Sequence, residues 1–95
     1  MRAYEVVAVL RADLSEEDQS TQIDTIKGWI TTKDGNVSQV EHWGRRRLAY
    51  PIAKQRDGYY LLLKVEMPAS ALDELERNLR ISENVLRFLV TRENE

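Results

Sequence analysis

The order in which the apolar period changes along the chain is the feature that most limits its fold. Residues 4–10 alternate, with Tyr4, Val6, Ala8 and Leu10 on one face and Glu5, Val7 and Val9 on the other, the two-residue repeat of a strand. Ile23, Ile26 and Ile30 then recur at helical spacing, with Asp13 and Ser15 as candidate N-caps and Asp34-Gly35 as the stop. A long extended run follows from Val37 through Val40 and Trp43 to Ile52, and Gly44 in its middle marks a bulge or bend. Residues 55–58 are expected to turn, with Asp57-Gly58 as the hairpin signal, before a third strand over 59–67. Pro68 closes that strand. Ser70 is expected to cap a second helix with the apolar stripe Leu72, Leu75 and Leu79, residues 81–84 break it, and 85–91 make the last strand.

Strand, helix, strand, strand, helix, strand leaves few topologies. Right-handed crossovers place both helices on one face of a four-stranded antiparallel sheet, an α+β, ferredoxin-like split βαβ sandwich (βαββαβ) with strand order four, one, three, two. The second strand then lies at an edge, where Pro51, which cannot donate a ladder hydrogen bond, is tolerated. Ninety-five residues, 42% of them hydrophobic and 32% charged, suffice for one core. The expectation is a single domain over 1–92 and a short tail at 93–95.

Composition removes several classes of function. With no cysteine and a single histidine, His42, the chain offers no disulfide, thiol nucleophile or metal-ligand set. No apolar segment is long enough to span a bilayer and the first residues lack a signal-peptide cleavage pattern, so a cytoplasmic protein without membrane contact is expected. The net charge of −2 is unlike that of a generally basic nucleic-acid binder. Its distribution is uneven, however. Between His42 and Arg56 stand five cations, Arg45, Arg46, Arg47, Lys54 and Arg56, and no acid, whereas Asp13, Glu16, Glu17, Asp18 and Asp24 crowd the first helix region.

Alternation through the basic run sends Leu48, Tyr50 and Ile52 toward the core and Arg45, Arg47, Ala49 and Pro51 outward. Arg46 shares the core-side parity at an end open to solvent, and Lys54 and Arg56 extend the cationic rim into the turn. Charge on an edge strand also serves to discourage aggregation. Three consecutive arginines, whose planar forks match phosphate bidentately, shift the balance toward RNA.

The run GRRRLAYPIAK over 44–54 closely resembles the signature of bacterial small-subunit ribosomal protein six. MRAYEVVAVL resembles that family's opening strand, GYYLLLKVEMP its third, and LERNLRISENVLRFLVTR its second helix and last strand. The resemblance implies the ferredoxin-like fold and a structural place in the central domain of small-subunit rRNA, bound together with ribosomal protein eighteen as a heterodimer. Carried over by position, the arginine cluster and Tyr50-Pro51 fall in the signature strand, and Arg2, Arg87 and Arg92 match basic positions on the first and last strands. The implied rRNA- or partner-binding set is therefore Arg2, Arg45, Arg46, Arg47, Lys54, Arg56, Arg87 and Arg92. Tyr50, Pro51, Tyr60 and Leu62 are candidates for the partner protein.

Val7, Val9, Tyr60, Leu62 and Leu89 are expected on the sheet face away from the helices, an apolar patch suited to a partner unless side chains cover it. Tyr4 and Tyr60 lie on central strands, but the base-stacking consensus of RNA-recognition motifs is absent, so packing explains them better. Trp29 and Trp43 read as core or flank residues. The fold also hosts enzymes. Here Ser15 and Ser70 serve as caps, the glycines form no phosphate loop, and paired acids sit in first helical turns, so no catalytic residue, cofactor or small-molecule substrate is expected.

Overall fold

Six main elements fill residues 1–93, the part described by the computed structural model. They are β1 (Arg2–Arg11), α1 (Glu16–Thr31), β2 (Asn36–Ile52), β3 (Gln55–Met67), α2 (Leu72–Ile81) and β4 (Val85–Arg92), with one 3-10 turn, Ala69–Ala71, ahead of α2. All strand pairs are antiparallel and the sheet order is β2-β3-β1-β4, the order expected from two right-handed crossovers. Of the tail expected at 93–95, Glu93 donates its backbone N–H to the Ala3 carbonyl at 2.9 Å, and positions 94 and 95 lie outside the described residues.

One core lies between the sheet and the two helices. Tyr4, Val6, Ala8 and Leu10 of β1 and Leu61, Leu63, Val65 and Met67 of β3 meet Ile23, Ile26 and Ile30 of α1 and Leu75 and Leu79 of α2. The helical spacing of the isoleucines and leucines and the strand alternation put these side chains on facing surfaces. Gln22, the one buried polar side chain among the described residues, lies at the join of the two halves. Its carboxamide accepts from Asn84 Nδ2 at 3.2 Å and donates to Ser82 Oγ, so the amide is paired where α1 passes the α2–β4 turn.

Local signals hold at some ends and fail at others. Ser15 caps α1, its hydroxyl accepting from the Asp18 N–H at 3.1 Å. Asp34 takes a positive φ of 64° after the helix, and Gly35 returns its N–H to the Ile30 carbonyl. A Cβ on Gly35 would lie 2.7 Å from Ile30, so only glycine fits that close passage. Ser70, by contrast, caps nothing. It sits inside the 3-10 turn, and the residue preceding α2 is Ala71, which has no capping side chain. The turn itself, with the Ala71 N–H on the Pro68 carbonyl at 2.9 Å, starts the helix without a hydroxyl cap.

Candidate nucleic-acid interface

The β2–β3 hairpin projects past the sheet as an arm. Gly58 of β3 pairs with Arg11, the last residue of β1, so the part of β3 from Gln55 to Asp57 continues with β2 alone. The turn is not at Asp57-Gly58. Those residues lie in the ladder, opposite Arg47 and Arg46, and the chain reverses at Ala53 and Lys54, both at positive φ (48° and 64°), between the paired Ile52 and Gln55. This is the backbone sense of a type I′ turn, which matches strand twist and overrides the residues' preference. The Asp-Gly signal misleads because Gly58 is needed for space: a Cβ there would run into Val9 Cγ1 and lie 3.3 Å from Leu48 Cδ2.

Two irregularities in β2 decide where its side chains point. At Gly44, with φ of 87°, the register shifts by one, so Val40 and His42 face the helix side with Leu63 and Leu61, while Arg46 falls opposite Gly58 with the open-face set. Between Arg47 and Ile52, four residues of β2 face only Arg56 of β3. The simple alternation expected for 48–52 is therefore overturned. Leu48 is buried, but beside Gly58 and outside the helix-facing core; Tyr50 is 56% exposed; Ile52 is half-buried. Pro51 falls in the unpaired stretch, where its missing N–H leaves no ladder acceptor wanting. The arm also bends over the open face. The Arg87 guanidinium, on β4 at the other edge of the sheet, lies over the Tyr50 ring at 5.8 Å from its centroid.

Charge on the arm is only partly compensated. Arg45 pairs with Asp57 at 3.1 Å, an acid one residue beyond the acid-free window. Arg46 lies over the Trp43 ring at 5.8 Å, with Trp43 itself 39% exposed. Among the described residues no carboxylate is within ion-pair distance of Arg46, Arg47, Lys54 or Arg56. All four are exposed. Behind the arm, Arg11 donates to both Asp13 oxygens at 3.2 and 3.1 Å, and this bond holds the Asp13 carboxyl below the usual carboxylate range. Gln55 Nε2 reaches the same carboxylate at 3.5 Å, tying the arm's root to the β1–α1 loop.

The eight basic candidates fall into two groups. Arg47, Lys54 and Arg56 stand on the arm with Arg45 and Arg46 at its root, and Arg87 joins them through Tyr50. Arg2 and Arg92 stand at the other end of β1, opposite Met67 and Tyr4 on the helix-side parity, each engaged in an interaction of its own. The ten residues of β1, about 30 Å of strand, link the two ends. Of the open-face residues, Val9 and Leu62 are buried at 2% and 7% exposure, Tyr60 is half-buried and Leu89 is 59% exposed. Val7, Val9, Tyr60, Arg87 and Leu89 line a groove of about 300 Å³ on that face. Sequence reasoning missed Trp43, Asp57 and the Arg87–Tyr50 stack. Trp43 and Asp57 could have been found from their places beside the arginines; the stack joins residues from opposite sheet edges and has no local signal.

Among the described residues no group of His, Asp and Glu could hold a metal, and no helix is long and apolar enough to cross a membrane. Fold and arm together define a ferredoxin-like structural domain that presents a basic, aromatic hairpin from one corner of its sheet. The chain belongs to the ribosomal protein S6 family, whose sequence pattern matches residues 3–92. It is similar to the small ribosomal subunit protein bS6 of Moorella thermoacetica, at 42% identity over 95 residues that cover all of this chain and 97% of the relative. The bS6 protein of Caldanaerobacter subterraneus is 40% identical, with full coverage of both. The crystal structure of 30S ribosomal protein S6 from Thermotoga maritima superposes with a TM-score of 0.89 at 27% identity, over 97% of this chain and 87% of that one. The C-terminal domain of MgtC from Mycobacterium tuberculosis shares the fold alone, with a TM-score of 0.67 at 12% identity over 98% of this chain and 88% of that domain. The chain is thus a structural protein of the small ribosomal subunit.

Proposed function

We propose that the protein binds the central domain of small-subunit rRNA jointly with ribosomal protein eighteen, without catalytic activity, in the cytoplasmic ribosome. The observation that carries this is the arm: among the described residues, Arg46 at its root and Arg47, Lys54 and Arg56 on the strand pair beyond β1 are exposed cations with no carboxylate partner. Exposed guanidinium groups neutralise phosphates and release counterions, which gives affinity without requiring a pocket. The second contact is the open sheet face. Its groove is lined by Val7, Val9, Tyr60, Phe88 and Leu89 beside Arg87, with Leu89 exposed, and suits an apolar side chain of the partner protein. Two contacts on one rigid body raise the effective concentration of each for the other, so joint binding is tighter than either alone.

A gel-shift titration on a central-domain rRNA fragment, with and without ribosomal protein eighteen, tests this. The isolated protein should bind weakly, and the partner should tighten binding by about a hundredfold or more, the lower end of linked two-site gains. Replacing Arg45, Arg46 and Arg47 together with Ala should weaken RNA binding and flatten its salt dependence while leaving the melting temperature nearly unchanged. Tight, salt-insensitive binding by the protein alone would contradict joint binding, and unchanged affinity in the triple variant would reduce the cluster to protection of a sheet edge.

A further inference from the structure

Resting on that rRNA-binding proposal, we infer that the cleft at the arm's elbow seats one unstacked RNA base against the Tyr50 ring. The cleft, about 280 Å³, is lined by Arg47, Leu48, Ala49, Tyr50, Pro51 and Arg56. It exists because four residues of β2 face one of β3, which opens the ladder and throws Tyr50 outward. At that size it lies just below the ~300–1,000 Å³ of drug-sized pockets, room for one planar ring and not for an extended cofactor.

Its chemistry is that of single-strand recognition. A phenol ring 56% exposed supplies a stacking surface, with Leu48 buried and the small Ala49 beside it. Among the described residues Arg47 and Arg56 have no carboxylate partner, and both are exposed, set to take the phosphates of a nucleotide seated there. Arg87 lies over the same ring at 5.8 Å yet lines the open-face groove and not this cleft, and Tyr50 stays 56% exposed beneath that contact. The guanidinium therefore steadies the ring before RNA arrives, and less side-chain freedom is lost on binding. A protein partner would find two unpaired cations at this spot. A nucleotide brings the compensating charge with the ring.

Wild-type, Tyr50→Phe and Tyr50→Leu proteins titrated with the central-domain fragment, with and without ribosomal protein eighteen, separate the possibilities. Tyr50→Leu should weaken RNA binding about 5- to 100-fold in both settings, and Tyr50→Phe should restore it to within about twofold, because any aromatic face stacks. Zero-length ultraviolet cross-linking of the wild-type complex should place a nucleotide adduct on Tyr50, which reads the contact without a variant. Wild-type affinity in Tyr50→Leu, a loss seen only with the partner present, or adducts on the arm that spare Tyr50 would each overturn the base seat while leaving rRNA binding standing. Failure of the wild-type protein to bind the fragment even with its partner would remove both.

Discussion

At the scale of single residues, two glycines serve the arm for different reasons. Gly58 lies where any Cβ would enter the space of Val9 Cγ1, with Leu48 Cδ2 at 3.3 Å, so its hydrogen lets the arm fold onto the sheet. Gly58→Ala should destabilise the protein by about 1–3 kcal/mol, the range of overpacked cores. For a domain of this size that is a fall of about 4–8 °C per kcal/mol in thermal melting. Gly44 has open space around it but a φ of 87°, and there a side chain meets backbone strain instead of a neighbour. Among the arginines, Arg45 is engaged by Asp57 and Arg47 is not, so single Arg→Ala changes should cost more RNA affinity at Arg47 than at Arg45. Gel-shift titration of the two variants gives the ranking, and the reverse order would mean that the Arg45–Asp57 pair opens on binding. The pair itself is exposed on the arginine side and adds little to folding.

At the scale of the hairpin, the turn is the element most at odds with its own residues. Ala53 and Lys54 both occupy the left-handed region, which costs roughly 1–2 kcal/mol per ordinary residue. Ala53→Asn should relieve part of this, raising stability by up to about 1 kcal/mol in chemical denaturation while keeping the Lys54 charge. A drop in stability would show that the turn does not hold positive φ at residue 53. The arm's root is also fastened by Asp13, which accepts from Arg11 and Gln55. Because the folded Asp13 carboxyl is shifted down, chiefly by its hydrogen bond from Arg11, the tether is complete above the ordinary carboxylate value and fades as pH falls through the lower folded one. Carboxyl NMR titration of Asp13, followed alongside the Gln55 side-chain amide, should show both moving together in acid.

For the whole molecule, what matters is the separation of charge. Acids gather in the first turns of the helices, Glu16, Glu17 and Asp18 in α1 and Asp73 and Glu74 in α2, where they favour the helix dipoles, while Arg45, Arg46, Arg47, Lys54 and Arg56 gather on the arm and its root. A net charge of −2 thus coexists with a basic corner that orients the protein toward RNA. With about four phosphate contacts, the logarithm of the association constant should fall against that of salt with a slope of about −3 to −4. A slope near zero would rule out phosphate neutralisation as the source of affinity. The elements, their order, the edge position of β2 and the cluster of cations were legible in the amino-acid order, because each rests on local period or composition. Three-dimensional packing sets the rest: Tyr50 points outward, Leu48 is buried beside Gly58, Asp57-Gly58 is ladder and not turn, and Arg87 reaches the arm. Two causes account for these. A bulge changes side-chain parity without changing the apolar pattern, and a contact between opposite sheet edges depends on how far the hairpin bends, which no local period records.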